Sequence, residues 1–187
     1  MINIALLGFG TVGSGVAEVL TNNEKIISAK LGDQVNIKYI LDLRDFPDSP
    51  FADKIVHDYG VILADSEVSI VVEMIGGIKL AADFTEKALR AGKSVVTSNK
   101  AVVAAYGEVF LELAREMGVR YLFEASVGGG IPVIRPIAED LSHNKILSVS
   151  GILNGTTNFI LSKMYDEGID YQTCLKEAQQ LGYAEAD

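Results

Sequence analysis

INIALLGFGTVG, residues 2–13, decides the fold. Its first half is short and almost continuously apolar, the pattern of a strand buried on both faces of a parallel sheet. Its second half, Gly8-Phe9-Gly10-Thr11-Val12-Gly13, is a G-x-G-x-x-G run lying between that strand and an amphipathic helix. In this setting the first glycine makes a tight turn, and the second lets a pyrophosphate approach the backbone. The third lets helix and strand pack closely, with the phosphates at the helix N-terminus. Without the strand and helix around it, the same run is only a glycine-rich turn.

Further along, Val12, Val16, Val19 and Leu20 recur at helical spacing, and the pattern extends through Ile26 and Ile27 to Leu31. Strands are expected at 35–41, 70–75, 94–97 and 119–123, and helices at 80–91 and 106–117, closed by Gly92 and Gly118. Residues 42–54, with Pro47 and Pro50, read as an irregular loop. Such alternation needs crossover connections, so the expectation is a Rossmann-type, doubly wound α/β fold with a mostly parallel sheet, covered by helices on both faces. This dinucleotide-binding domain is assigned to residues 1–130. Past the triple glycine at 128–130 the texture changes. A helix at 134–141, a strand at 146–153 and helices at 156–165 and 171–181 suggest the beginning of an α+β domain, residues 131–187.

The composition, 49% hydrophobic and 22% charged over 187 residues, supports a sizeable core. A net charge of −9 argues against a nucleic-acid surface, which needs a basic patch. One cysteine excludes an internal disulfide framework, and Cys174 with His57 and His143 gives no metal-ligand spacing. Cys174 reads as a buried packing residue. No apolar run approaches the ~20 residues of a membrane helix, and Met1 leads directly into a strand without a basic leader, so a cytoplasmic location is expected.

The remaining chemistry gathers at strand ends. Asp42 suits the ribose hydroxyls of NAD, whereas Arg44 suits the 2′-phosphate of NADP; the two are also close enough to pair with each other. Asp45, Asp48 and Asp53 repel phosphate and tilt the reading towards NAD or dual use. Gly76 and Gly77 follow the apolar run VVEMI where a cofactor backbone would pass. Thr97, Ser98 and Lys100 leave the next strand at the same edge, and a cation there stabilises an alkoxide developing on substrate. Glu124 precedes the three glycines, whose entropic cost implies close backbone approach or a hinge. GILNGTTNFILSKM, residues 151–164, puts Asn154, Gly155, Thr156 and Thr157 at a helix start suited to a polar ligand, although helix capping alone also favours such residues.

SNKAVVA at 98–104, FEASVGGGIPVI at 123–134 and GILNGTTNFILSKM, in this order, resemble homoserine dehydrogenase, and the resemblance extends over essentially the whole chain. It implies NAD- or NADP-dependent interconversion of L-homoserine and L-aspartate 4-semialdehyde by a cytoplasmic enzyme of threonine and methionine biosynthesis. It further implies Lys100 at the active site, with Gly155, Thr156, Thr157 and Glu185 in the substrate pocket. A sodium-type site falls on Glu124, Val127, Gly129 and Ile131, and the full-length protein would be a homodimer. The family's pattern continues past GYAEAD into a segment with a further catalytic aspartate and lysine, so the residues given are expected to be inactive by themselves. Lys79-Leu80-Ala81 departs from the family's usual loop after the paired glycines. The rival readings are another Rossmann-type oxidoreductase and a non-catalytic dinucleotide-binding module.

Overall fold

The computed structural model describes residues 1–152 and 154–184. Two compact units are present, residues 1–135 and 136–187.

The first unit is a six-stranded, entirely parallel sheet in the order β3-β2-β1-β4-β5-β6. Its strands are β1 (Ile2–Leu7), β2 (Val35–Leu41), β3 (Ile55–Val56), β4 (Val68–Glu73), β5 (Ser94–Thr97) and β6 (Tyr121–Leu122). Helices α1 (Thr11–Asn22), α2 (Glu24–Leu31), α3 (Tyr59–Ala64), α4 (Lys79–Arg90) and α5 (Lys100–Glu116) connect them. Alternate residues of β1 feed two cores. Ala5 and Leu7 face α3, α4 and α5, whereas Ile4 and Leu6 pack with Ala17 of α1. The order reverses between β1 and β4, the switch point where ligands of such sheets bind.

Two register shifts tune this layering. Ile4 pairs Ile37 but Ala5 pairs Tyr39, leaving Lys38 as an extra residue that swings out to Asp65 and Glu67, each at 2.6 Å. A second shift, opposite Ser69, keeps Val68 in the α4 and α5 core while Ile70 packs on the α1 side. At the amino edge Lys93, buried to 2% exposure, donates to the carbonyls of Asp65 at 2.6 Å and Val68 at 3.0 Å.

Several expected boundaries move. The first helix breaks at Asn23, whose side chain donates back to the Val19 carbonyl at 3.0 Å. Its buried face is Gly13 and Ala17, with Val12 and Val19 outside. The strand expected at 70–75 ends at Glu73, whose carboxylate takes the Ile75 N–H and turns the chain. Asn99 caps α5 by accepting the Val102 N–H, which starts that helix well before residue 106. The strand expected at 119–123 shortens to Tyr121–Leu122.

In the second unit, α6 (Gly155–Glu167) and α7 (Tyr171–Gln180) pack around Ile160, Cys174 and Ala178. Cys174 is fully buried, as expected. A π-helical turn, Pro136–Asp140, replaces the helix expected at 134–141. The strand expected at 146–153 does not form among the described residues; Leu147 is 85% exposed. A strand needs a neighbour for its backbone groups, and no described residue of this unit provides one. Residues 131–135, read from the sequence as part of the second domain, belong to the first unit because the Glu124 carboxylate accepts the N–H groups of Val133, Ile134 and Arg135 at 2.5, 2.9 and 2.7 Å.

Candidate functional site

The three fingerprint glycines do different jobs, and the space around each shows which. Gly8 has a left-handed φ of +94°, and a Cβ there would press on the Met74 carbonyl at 3.1 Å. At Gly13 a Cβ would fall 2.1 Å from the Gly8 carbonyl oxygen, so this position seats α1 on the turn. Gly10 is different: nothing lies within 4 Å of its Cβ direction. The open side of the turn is therefore the exposed N-terminus of α1, where an approaching phosphate meets free N–H groups and the positive end of the helix dipole. Thr11 and Val12 are exposed there, while Phe9 is buried.

Asp42, just past β2, is bound to this turn. Its Oδ2 accepts the Phe9 N–H at 2.8 Å and an Arg44 guanidinium N–H at 3.1 Å; Oδ1 accepts the Arg44 main-chain N–H and Nε–H, both at 3.0 Å. Four donors fill the roughly four lone-pair positions of a carboxylate. The Arg44 guanidinium foremost, then the Arg44 and Phe9 N–H groups, overcome burial and hold the Asp42 carboxyl down at about 2. Arg44 also stands over the Phe46 ring at 5.0 Å, and Phe46 meets Phe9 edge-on. His57 reaches the Asp42 carbonyl with Nδ1 at 2.7 Å and Asp45 with Nε2 at 3.1 Å. Beside them lies a largely apolar cavity of about 360 Å³, walled by Gly8, Asp42, Tyr59, Ile75 and Phe84 among others.

On the other side of the switch point, Glu73 is fully buried at the end of β4. Its Oε1 accepts the Ile75 N–H at 2.7 Å and its Oε2 the Thr97 hydroxyl at 2.5 Å. The Thr97 oxygen accepts the Asn99 N–H at 2.9 Å, and the Asn99 amide donates to the carbonyls of Ile75 at 3.0 Å and Gly77 at 2.7 Å. Burial raises the Glu73 pKa against the pull of these donors. The Thr97 side chain is thus spent behind the surface, while Ser98 is half-buried and Lys100 is exposed as the first residue of α5. Lys100 makes no salt bridge with a described residue. Glu73 and Asn99 were not picked out from the sequence. A carboxylate inside the apolar run VVEMI was the available sign of the first.

In the second unit, Asn154 caps α6 by accepting the Thr157 N–H at 2.9 Å, and the Thr157 hydroxyl returns to the Asn154 carbonyl at 3.2 Å. The Thr156 hydroxyl donates to the Tyr183 carbonyl. Gly155, Thr156, Asn158, Phe159, Lys163 and Tyr183 line an open groove. Glu185 lies outside the described residues. At the turn before the unit boundary, Gly128 and Gly129 are left-handed, and the Val127 N–H donates to the Glu124 carbonyl at 3.2 Å.

A family model described as "Homoserine dehydrogenase, NAD binding domain" matches residues 8–124, and one described as "Homoserine dehydrogenase" matches 132–187. The chain belongs to the homoserine dehydrogenase family. Over its full length it is 44% identical to a homoserine dehydrogenase of Neisseria gonorrhoeae, covering 43% of that protein, and 44% identical to one of Bacillus subtilis, covering 44%. A crystal structure of a homoserine dehydrogenase from Thiobacillus denitrificans superimposes with a TM-score of 0.91 at 41% identity, over all of this chain and 44% of that one. A hyperthermophilic archaeal homoserine dehydrogenase in complex with NADPH does so at 0.83 and 29% identity, over all of this chain and 63% of its own. The chain therefore spans less than half the length of the two bacterial family members it matches. No helix among the described residues is long and apolar enough to cross a membrane.

Proposed function

We propose that this chain supplies the cofactor-binding part, and the first portion of the substrate-binding part, of an enzyme that interconverts L-homoserine and L-aspartate 4-semialdehyde with NAD or NADP. The observation that carries the reading is the division among the fingerprint glycines. Two are fixed by packing against backbone, and the third is open towards the helix N-terminus. A pyrophosphate fits that opening, and an adenosine fits the cavity beside Asp42. The bound nicotinamide gives or takes the hydride, and the protein contributes position and field. Lys100 is placed to stabilise negative charge on the substrate oxygen, and Gly155, Thr156, Thr157 and Glu185 belong to the substrate pocket. Ser98, Gly76 and Gly77 border the nicotinamide. The enzyme is cytoplasmic and, at full length, a homodimer.

A monovalent cation at the glycine turn would be held by the main-chain carbonyls of Glu124, Val127, Gly129 and Ile131. Hard oxygen donors of this kind suit such an ion. The Glu124 carboxylate is already committed to three N–H groups.

Coenzyme choice turns on Arg44. Because its guanidinium fills half of the Asp42 acceptor positions and its main-chain N–H one more, a ribose hydroxyl can reach that carboxylate only when the Arg44 side chain moves aside, and a 2′-phosphate gains from Arg44 directly. Arg44→Ala is expected to weaken NADPH binding about tenfold, near 1.4 kcal/mol, while NADH binding holds or improves. Fluorescence titration of both reduced coenzymes checks this; an equal change in the two overturns it. The Asp42 carboxyl is depressed, so its stabilisation is present above about pH 4 and lost as pH falls towards about 2. Asp42 itself is therefore expected to add no pH dependence to the preference between about pH 5 and 9.

The function itself is tested by titrating this chain with NADH and NADPH, then assaying homoserine-dependent reduction of NAD and NADP by a form that extends over the rest of the family's length. Binding plus turnover supports the proposal. Binding without turnover in the extended form selects a non-catalytic dinucleotide module, and turnover of other alcohols alone selects a different oxidoreductase.

A further inference from the structure

We propose that Glu73 is the positioning residue of the nicotinamide side of the cleft, holding the loop of Gly76 and Gly77 and the start of α5 in one fixed arrangement through a carboxylate that accepts at both oxygens. The inference rests on the dinucleotide-binding reading above. Its basis is the direction of the hydrogen bonds. The Asn99 N–H points to Thr97, the Thr97 hydroxyl points to Glu73, and the Ile75 N–H points to Glu73 from the other side. Every donor runs towards the carboxylate, and both of its oxygens are used. Asn99 then closes the ring by gripping the Ile75 and Gly77 carbonyls. The carboxylate itself is fully buried, so it touches no ligand and acts through the two loops it joins.

A glutamine replaces it poorly. With its single carbonyl oxygen on the Ile75 N–H, its NH₂ meets the Thr97 oxygen, and the Thr97 hydroxyl proton, turned away in a dry site, loses its acceptor. Leaving a buried donor unpaired is costly, and the loop has the freedom to relieve that cost by moving away. Movement of the 75–78 loop disturbs the β4 and β5 side of the switch point. The adenosine side, built on Gly8, Gly10, Gly13 and Asp42, hangs mainly on β1 and β2 and meets that loop at Ile75 alone.

The test compares NADH with ADP-ribose, which keeps the adenosine and pyrophosphate but lacks nicotinamide, by calorimetric titration of the 187-residue chain. Glu73→Gln is expected to weaken NADH about tenfold while ADP-ribose stays within about twofold. Should that variant not fold, Thr97→Val, which removes the central hydroxyl without changing shape, is expected to show the same split. Unchanged NADH affinity in the folded variants, or equal losses for both ligands, overturns the proposal. If the unmodified chain binds neither ligand, the dinucleotide reading itself fails and takes this inference with it.

Discussion

Gly13→Ala is expected to eliminate detectable dinucleotide binding and to lower the melting temperature steeply, whereas Gly10→Ala leaves the melting temperature nearly unchanged and weakens binding alone. The two glycines sit three residues apart in one motif, yet their surroundings are opposite. A methyl at position 13 would lie 2.1 Å from the Gly8 carbonyl oxygen and 3.0 Å from its carbon. Both atoms are backbone, so relief requires α1 to lift from the turn it seats on. Overpacking of this kind costs about 1–3 kcal/mol and sometimes more, which for a chain of this size lowers the melting temperature by roughly 2–12 °C. Lifting α1 also withdraws the N–H groups that would meet a phosphate. At position 10 nothing lies within 4 Å, and the backbone, at φ −80°, accepts an L-residue without strain. Its methyl would stand only in the path of the ligand. Calorimetric melting and coenzyme titration of both variants decide the matter, and similar melting losses in the two would refute the division of roles.

Lys100→Met is expected to slow homoserine oxidation by about a hundredfold while coenzyme affinity stays within a few-fold, measured on a form of the protein that turns over. A cation at a helix N-terminus opposes the helix dipole, so its placement there calls for an anionic or polarised partner. Among the described residues Lys100 has no salt-bridge partner, and it is exposed at the mouth of the loop that Asn99 ties to Gly77. Losing one preorganised group that stabilises a developing oxyanion costs about 10² to 10³ in kcat. Lys100→Arg keeps the charge and should recover part of the rate. A normal kcat in Lys100→Met would remove Lys100 from the chemistry.

The parallel sheet and its switch point were legible because apolar runs and glycine punctuation are local signals. The details that failed depend on neighbours in space. The extra residue at Lys38 follows from what β1 and β2 bury together, which the alternation in 35–41 does not reveal. Val12, Val19 and Ile26 keep helical spacing but face solvent, so the periodicity overstated one continuous helix. The strand expected at 146–153 had a strand's composition and no described partner. At the site, the Asp42 and Arg44 pairing was foreseen as one of several outcomes. The Glu73 network was not, since Thr97 and Asn99 lie more than twenty residues away, in β5 and at the start of α5. Thr97 was read towards the coenzyme from its place at the end of a strand; its hydroxyl donates to Glu73.

Lys93 sits at the opposite end of the strands from every residue assigned to the coenzyme, as do the Asn3–Asn36 side-chain bond and the Lys38 ion pairs. Because the sheet is wholly parallel, its two rims are chemically unequal: the side-chain bonds of one join only the sheet's own residues, and those of the other hold the loops that a ligand meets. Substitutions at the first rim should register in thermal tolerance alone, whereas at the loop rim the open or exposed positions, Gly10 and Arg44, should change ligand binding without it. Coenzyme choice can therefore be changed at those positions, by selection or by design, without robustness being traded against it.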